Sequence, residues 1–351
     1  MVPNPTTDKK MLITVAICTW NRADSLDRTL MQLRSLRIPT EVDWELLVVN
    51  NNSTDHTDQV IERHAQELPI RRLFEGTPGK SYACNLAVRE TKGELLLWTD
   101  DDVLVDSGWL EAYVTAALSH PHVSFFGGRI DPWYEDVPPS WFNRNLKHFG
   151  KVVALLDFGP LVRLLEPDEK VIGANMAFRS EAQRRYQYDT LLTTRPGRQA
   201  SCEDHELIDR MRVDGRQGLW VANAIVQHFI PRARSTTQFA RRWWSEQAQV
   251  YVDRFPAACP AVNGRAPLWL RRKYFEATFR TWFYSLTRGE RWAKAFFEAA
   301  WLHGLIFSCT KVPTSRPADG EPCTTEMVAA NLKSAISEND ESPTTTGSLT
   351  N

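Results

Sequence analysis

Short apolar runs, each ended by polar residues, constrain the fold of this chain more than any other feature of its sequence. Three runs have the length and the aliphatic or β-branched content of buried strands: 12–17, 45–49 and 94–98. Apolar residues recur at helical spacing in the segments around them: 25–36, 60–68 and 81–90. This alternation predicts an α/β sheet with right-handed crossovers.

Polar residues follow the first, second and third of these strands at 19–22, 50–55 and 100–102. Ligands on such sheets bind at the carboxyl ends of the strands. We therefore expect the three polar segments to lie close together in space, although they are distant in the sequence, and to form one ligand site.

The rest of the chain is less uniform. Residues 131–142 are rich in proline and aromatic side chains and are interpreted as a loop or flap. Strand-like runs return at 170–178 and 220–226, and three helices are predicted at 239–255, 268–286 and 291–307. From residue 312 onward Pro, Ser, Thr, Asp and Glu dominate, which predicts a disordered tail.

Composition excludes several classes of protein. The 42 basic and 43 acidic side chains give a formal net charge of -1, whereas nucleic-acid binders usually carry a basic excess. The six cysteines are scattered without a C-x-x-C pair, which argues against a disulfide scaffold or a zinc site. Neither a secretory signal nor a run of about 20 apolar residues is visible, so we expect a cytoplasmic protein.

The triple aspartate at Asp100, Asp101 and Asp102 carries the strongest chemical signal. Adjacent carboxylates repel one another unless a cation neutralises them, and hard oxygen ligands suit Mg²⁺ or Mn²⁺. A solvated acidic turn is the simpler interpretation. The position at a predicted strand end favours a metal that bridges a substrate diphosphate.

The tripeptide Gly79, Lys80 and Ser81 imitates the end of a phosphate-binding P-loop, G-x-x-x-x-G-K-[ST]. The spacing fails, because Phe74 stands where the first glycine is required, and the strand that should precede the loop is poorly formed. A milder interpretation is that Gly79 permits a tight turn into a helix whose N-terminus, or Lys80, meets a phosphate.

Two later segments carry further candidates. Glu203 and Asp204 open a predicted helical run and can supply a general base, although acidic residues at a helix N-terminus also serve simply to offset the macrodipole. His228 follows the strand at 220–226, where a lone histidine is more often structural than a ligand.

These motifs, in this order, resemble those of family 2 glycosyltransferases of the GT-A fold, over residues 11–235. The resemblance rests on the sequences VAICTWNR at 15–22, LVVNNNSTD at 47–55, GKSYACN at 79–85, WTDDDV at 98–103 and Glu203 with Asp204. It implies a Rossmann-like mixed α/β sheet flanked by helices at 11–235. Beyond it we expect a C-terminal helical extension at 236–311 and the tail at 312–351.

The resemblance also implies an inverting transfer from a nucleotide-diphospho-sugar, with UDP-sugars favoured and Mn²⁺ or Mg²⁺ as the cofactor. In it, Asp204 is the catalytic base, with Glu203 beside it. Asp101, Asp102 and His228 are the candidate metal ligands, and the choice between the two aspartates stays open. The residues it assigns to the nucleotide-sugar donor are Thr19, Trp20, Asn21, Arg22, Asn50, Asn52, Lys80, Asn85 and Asp100. The family commonly has Asp at position 50, so Asn50 leaves the nucleotide open.

The resemblance places the acceptor, a glycan or a lipid-linked sugar, near the aromatic segment. Trp133 and Trp141 are the candidates there, because aromatic faces suit sugar rings, and packing of the segment onto the core is the alternative. The C-terminal helices mix basic and aromatic residues, which fits contact with an anionic membrane at its inner face. A packed helical subdomain or a dimer interface is favoured, because aromatic stripes at helical spacing usually form a core.

Two other functions stay open. The first is a P-loop-like phosphotransferase or NTPase, which the misplaced Phe74 disfavours. The second is a non-catalytic nucleotide-sugar-binding protein on the same fold, which the presence of both the triple aspartate and the Glu203–Asp204 pair disfavours. The leading hypothesis is an enzyme of cell-surface polysaccharide or glycolipid synthesis.

Overall fold

The computed structural model describes residues 10–194, 202–255 and 265–310. These residues separate into two units that interleave along the chain. Unit 1 takes the described residues within Met1–Asp131, Pro160–Asp189 and Asp204–His228, and unit 2 those within Pro132–Gly159, Thr190–Glu203 and Phe229–Asn351. The predicted tail at 312–351 lies outside the described residues. The division into domains at 235 and 311 stays a prediction.

The described residues form nine strands, all in one mixed sheet. They are β1 (Met11–Thr19), β2 (Val42–Asn50), β3 (Ile70–Phe74), β4 (Leu95–Thr99), β5 (Val103–Val105), β6 (Phe125–Tyr134), β7 (Arg163–Leu164), β8 (Asn175–Arg179) and β9 (Gly218–Ile230). The order is β3-β2-β1-β4-β8-β6-β9-β5, with β7 beside β9. The first four strands are parallel, and β8 joins β4 in the antiparallel sense. The predicted mixed α/β fold is confirmed.

The described helices lie between and after these strands. They are α1 (Ala23–Leu33), α2 (Thr57–His64), α3 (Lys80–Glu90), α4 (Trp109–Ser119), α5 (Ser140–Arg144), α6 (Leu146–Phe149), α7 (Ser180–Gln183), α8 (Glu203–Val213), α9 (Thr237–Arg254), α10 (Leu268–Phe283) and α11 (Glu290–Cys309). Short 3₁₀ turns lie at Gly150–Val153 and Arg232–Ser235. The predicted C-terminal helical region is confirmed. Within the described residues, no helix is both long enough and apolar enough to cross a membrane.

Three local predictions were wrong. The strand before Gly79 is well formed as β3, but it lies at the edge of the sheet and is only half-buried, so it has no apolar run. The segment predicted as a strand from residue 170 becomes one only at Asn175, because a turn at Ile172 precedes it. The predicted aromatic loop is shorter than expected: its two ends belong to β6 and α5, and residues 135–139 lie in neither.

The side chain of Asn175 ties three strands and a helix of unit 1 together. Its Oδ1 accepts from Trp109 Nε1 at 2.8 Å and from Tyr113 Oη at 2.7 Å. Its Nδ2 donates to the main-chain oxygens of Arg129 at 2.8 Å and Ala224 at 2.7 Å. The residue is wholly buried, so this amide satisfies four polar groups that water cannot reach.

Aromatic side chains form the core of unit 2. Trp141 of α5 packs against Phe149 at 5.0 Å and against Trp292 of α11 at 5.4 Å between ring centroids. Helices α9, α10 and α11 contribute Trp244, Leu270 and other residues to the same cluster. Large rigid rings at these positions account for several of the nine tryptophans, of 13 in all, that lie beyond residue 130.

We predict that Asn175→Ala lowers the free energy of unfolding of the protein by about 3–5 kcal/mol, because it leaves several buried donors and acceptors unpaired. Urea unfolding followed by tryptophan fluorescence and circular dichroism measures the change. Asn143→Ala, at an exposed position, is the control and should stay within about 0.5 kcal/mol of wild type. Equal losses in the two variants would contradict this role for Asn175.

Candidate active site

The carboxyl ends of β1, β2 and β4 meet at one edge of the sheet, as predicted. β1 and β2 are in register from Met11 with Val42 to Thr19 with Asn50, and β4 lies on the other side of β1. The polar segment after each strand therefore reaches the same region of unit 1. The side chains that meet there show what the region can bind.

A partly buried network joins the segment after β1 to the triple aspartate. Thr19 Oγ1 donates to Asp101 Oδ2 at 2.7 Å, and Arg22 Nη1 donates to Asp101 Oδ1 and Asp102 Oδ2, both at 2.9 Å. Burial raises the pKa of Asp101 to about 6, and the neighbouring Asp102 adds to the rise. Arg22 and Thr19 oppose it by stabilising the charged form.

Asp102 also faces His228, with Oδ1 and Nε2 3.4 Å apart. The pairing of β5 with β9 sets Val103 opposite His228 and so brings the two side chains together. Both side chains are buried, and an imidazole beside a carboxylate offers two ligands to a divalent metal ion. Among the residues that the structure describes, no three His, Cys, Asp or Glu side chains are already assembled as a metal cage.

A second ionic group surrounds Asp204. Lys80, the first residue of α3, places Nζ 2.8 Å from Asp100 Oδ1. Asp204, in the first turn of α8, accepts from the backbone N–H of Gly173 at 2.9 Å. Burial raises the pKa of Asp204 and the charge of Asp100 adds to the rise, whereas Lys80 and the Gly173 hydrogen bond lower it.

Glycine is required at position 173. A Cβ added there would lie 2.6 Å from Asp204 Oδ2, so a larger residue would push this carboxylate out of place. A glycine within a strand-like run marks such a close approach, and it is the signal that could have drawn attention to this position in the sequence.

Asparagines at the ends of β1 and β2 hold the segment after β2 in place. Asn50 donates from Nδ2 to Asp58 Oδ1 at 2.7 Å and accepts from Ser53 N at 2.8 Å. Asn21 accepts from Thr54 N at 2.7 Å and adopts a positive φ of 51°, and Asn52 has a φ of 61°. Asparagine tolerates this left-handed region better than most residues.

Asn51, which is not among the residues predicted from the sequence, organises the loop before α3. Its Nδ2 donates to the main-chain oxygens of Glu75 at 3.0 Å and Thr77 at 2.7 Å, and its Oδ1 accepts from Gly79 N at 2.9 Å. Gly79 has a φ of 139°, which permits the sharp turn into α3 that the sequence predicted. Asn51 thereby positions Lys80.

Two of the residues that the sequence singled out use their side-chain polar groups on the main chain. Asn85 uses its amide on both main-chain groups of Tyr188, at 2.9 and 2.8 Å. Ser81 is buried and donates to the Asp189 main-chain oxygen at 3.0 Å, so its hydroxyl is not presented as in a P-loop. Trp20, which follows Thr19 in the sequence, has a side chain that is 43% exposed.

The remaining three candidates belong to unit 2. Glu203 is buried at the start of α8, Trp133 packs against Phe229 with ring centroids 4.8 Å apart, and Trp141 is 8% exposed within the aromatic core. The burial of Trp141 corresponds to the packing alternative that the sequence left open.

We predict that ionisation of Asp101 makes the free energy of unfolding depend on pH. Because its folded pKa of about 6 exceeds the unfolded value of about 3.9, the group stabilises the fold at low pH, and this contribution is lost as pH rises from about 4 to 6. Relative to Asp101→Asn, wild type should therefore lose up to about 3 kcal/mol across that range. Urea unfolding at a series of pH values, in the presence of a chelator, measures the free energy of unfolding. The exposed Asp106→Asn is the control. Parallel pH dependences for wild type and Asp101→Asn would contradict the prediction.

Residues 14–190, just over half of the chain, match the family model described as Glycosyl transferase family 2. The chain is 25% identical over 149 residues to the succinoglycan biosynthesis protein ExoM of Rhizobium meliloti (strain 1021), covering 42% of this chain and 46% of that protein. It is 33% identical over 107 residues to validoxylamine A glucosyltransferase of Streptomyces hygroscopicus subsp. jinggangensis (strain 5008), covering 30% and 25%.

The matched region is therefore less than half of the length of these curated relatives. Among solved structures, the mannosyltransferase PcManGT from Pyrobaculum calidifontis, in complex with GDP-Man and Mn²⁺, aligns with a TM-score of 0.50 and 19% identity. The alignment covers 97% of this chain and 89% of that chain, and at this identity it concerns the fold alone. By the family match and the mixed sheet together, this chain belongs to the family 2 glycosyltransferases and has their GT-A fold.

Proposed function

We propose that this protein transfers a sugar from a nucleotide-diphospho-sugar to an acceptor hydroxyl, with inversion at the anomeric carbon and with a divalent metal ion. The observation that carries the proposal is the position of Asp204. Its carboxylate is fixed by Gly173 N–H and lies in the electrostatic field of Lys80 and Asp100, at the strand edge where ligands of such sheets bind.

Asp204 is the proposed general base. It takes the proton of the acceptor hydroxyl while that oxygen forms a bond to the anomeric carbon, and the bond from this carbon to the diphosphate oxygen breaks on the opposite face. One displacement gives inversion without a covalent enzyme intermediate, as in inverting glycosidases. The raised pKa of Asp204 supports this role, because a base works best when its pKa approaches the working pH.

The proposed donor site lies between the segments after β1 and β2 and the start of α3. Lys80, at the start of α3, would bind the diphosphate, and the positive end of the helix dipole there also favours an anion. Asn50 already has one internal partner for each end of its amide, and Nδ2 keeps a second proton that suits an acceptor atom on a nucleobase. Thr19 and Arg22 act on the site by holding Asp101.

The carboxylate and imidazole side chains present here fit the coordination of a divalent cation. Mg²⁺ and Mn²⁺ are commonly held by one or two protein ligands, with substrate phosphates and water completing the shell, so a preassembled cage is not needed. We propose Asp102 and His228 as the protein ligands, because their side chains already face each other, and Asp101 as the neighbour that Arg22 and Thr19 hold in place. When bound, the ion would stabilise negative charge on the leaving diphosphate.

The acceptor is proposed to be a glycan or a lipid-linked sugar, and the setting cell-surface polysaccharide or glycolipid synthesis at the cytoplasmic face of the membrane. The similarity to ExoM, a succinoglycan biosynthesis protein, supports this setting. Trp133 remains the proposed acceptor contact, whereas we propose that Trp141 and Asn85 are structural, given their burial and partners.

The test is turnover of UDP-, GDP-, dTDP- and CDP-sugars, each with Mn²⁺ and with a chelator. GDP-sugars belong in the panel because PcManGT was solved with GDP-Man and Mn²⁺. We expect turnover of one nucleotide class, lost on metal removal. Asp204→Asn should reduce it by about 10²–10⁴-fold with donor binding retained. Asp102→Asn should weaken the dependence on Mn²⁺, and the exposed Asp106→Asn is its control.

Other outcomes would overturn the proposal. A response to ATP without a response to any nucleotide sugar would favour the phosphotransferase alternative. Binding of a nucleotide sugar that Asp204→Asn leaves unchanged, with no turnover in wild type, would indicate a non-catalytic binder. Full activity in a chelator would overturn the proposed need for a metal ion and leave the proposed sugar transfer standing.

The pH profile gives an independent prediction. A base must be deprotonated, so kcat/KM should rise with pH through a value above the ordinary carboxyl pKa of 3.8. Lys80→Met removes a charge that lowers the pKa of Asp204 and should move this limb to higher pH. Asp100→Asn removes a charge that raises it and should move the limb to lower pH. The exposed Lys92→Met is the control, and limbs that do not move in opposite directions would contradict the assignment.

A further inference from the structure

Helix α10 of unit 2 is packed on one side and exposes apolar side chains on the other. Leu270 and Ala277 are fully buried in the aromatic core. Phe275, Phe279 and Trp282 are 70%, 53% and 67% exposed. We define the outer face of α10 by its six exposed apolar residues: Leu268, Phe275, Phe279, Trp282, Phe283 and, just beyond the helix, Leu286.

Helical geometry shows that this outer face is one continuous stripe. At about 100° per residue, its members cluster around a single direction, and Leu270 and Ala277 point the opposite way. The rings touch one another: Phe279 lies 5.6 Å from Trp282 and 6.4 Å from Phe283 between centroids. Contiguous exposed apolar surface of this kind marks an interaction site, unlike single exposed residues.

The charges on and around the stripe indicate what covers it. Arg271 and Arg272 lie on the same side of α10 as the outer face by helical position, and both are exposed. Arg272 pairs with Glu276 at 2.9 Å, whereas Arg271 has no carboxylate partner among the described residues. Residues 268–291 hold six basic and two acidic side chains, in a chain whose net charge is -1.

We propose that the outer face of α10 docks on the surface of an anionic lipid bilayer, with the helix lying in the plane of the interface. Phenylalanine and tryptophan would enter the boundary between headgroups and acyl chains, and the arginines would meet anionic headgroups. A symmetric contact with a second copy fits less well, because it brings the same cationic face against itself. The proposal does not depend on the proposed catalytic function.

Co-sedimentation of the full-length protein with vesicles tests this. Vesicles of phosphatidylcholine mixed with phosphatidylglycerol should bind the protein, and phosphatidylcholine alone should bind it weakly. Added salt should weaken the binding. Phe279→Glu should reduce binding about tenfold or more, because it places a charge within the apolar stripe. Arg271→Gln should reduce it about fivefold.

Matched controls separate docking from general surface chemistry. Leu118→Glu changes an apolar residue of similar exposure, 62%, on α4 of unit 1 and should bind as wild type does. Arg89→Gln, at an exposed position on α3, is the control for charge. Both Phe279→Glu and Arg271→Gln should keep wild-type turnover of a nucleotide sugar with a soluble acceptor. Loss of vesicle binding is therefore distinguishable from loss of the proposed catalytic function.

Any of three results would overturn the proposal. The first is the absence of binding to anionic vesicles, and the second is an equal loss of binding in Phe279→Glu and Leu118→Glu. The third is a stable dimer in sedimentation equilibrium that Phe279→Glu dissociates, which would assign the outer face to contact between copies of this chain.

Discussion

The buried carboxylates of Asp101 and Asp102 are the constraint on which the candidate site depends. Two adjacent negative charges at a buried strand end are costly unless other groups compensate them. Arg22 supplies a cation to both, and Thr19 supplies a hydroxyl to one, so the segment after β1 is tied to the segment after β4. The same demand for positive charge is what a divalent ion would satisfy more fully.

This constraint extends outward through the sheet. Asp102 faces His228 only because β5 pairs with β9, and β9 is held in unit 1 partly by the hydrogen bond from Asn175 to Ala224. On the other side, Asn51 fixes the loop that delivers Lys80 to Asp100. The two ionic groups of the site, around Asp101 and around Asp204, therefore rest on separate parts of unit 1.

The parallel half of the fold could be predicted from the sequence because its central strands are buried on both faces. β1, β2 and β4 are continuous apolar runs, and their positions were predicted. β3 was missed because an edge strand is half-exposed, with Arg71 and Arg72 paired to Glu90 and Asp58 respectively. β6 was missed in part because two glycines interrupt it. At Gly128, an added Cβ would lie 2.3 Å from the Ala224 main-chain oxygen.

The site could be predicted as a set of segments but not as a set of contacts. Strand order brings Thr19, Asn50 and the triple aspartate to one edge, and the alternation of elements indicates as much. The partners of each side chain depend on turns that one sequence does not specify, such as the positive φ of Asn21 before Arg22. Asn85 was assigned to the donor on resemblance, but the neighbouring main chain of Tyr188 uses its amide.

The aromatic residues of unit 2 show most clearly that the sequence alone does not predict which side chains are buried. Trp141 and Trp282 lie in similarly aromatic stretches of sequence, yet one is 8% and the other 67% exposed. The difference comes from position around each helix relative to α11, which contributes Trp292 to the core beside Trp141. Composition therefore indicates that a helix has apolar surface to bury, and only the packing shows which part of that surface the chain has already buried. On α10 the remainder is a stripe flanked by arginines, which is why a lipid surface fits it better than a second protein core.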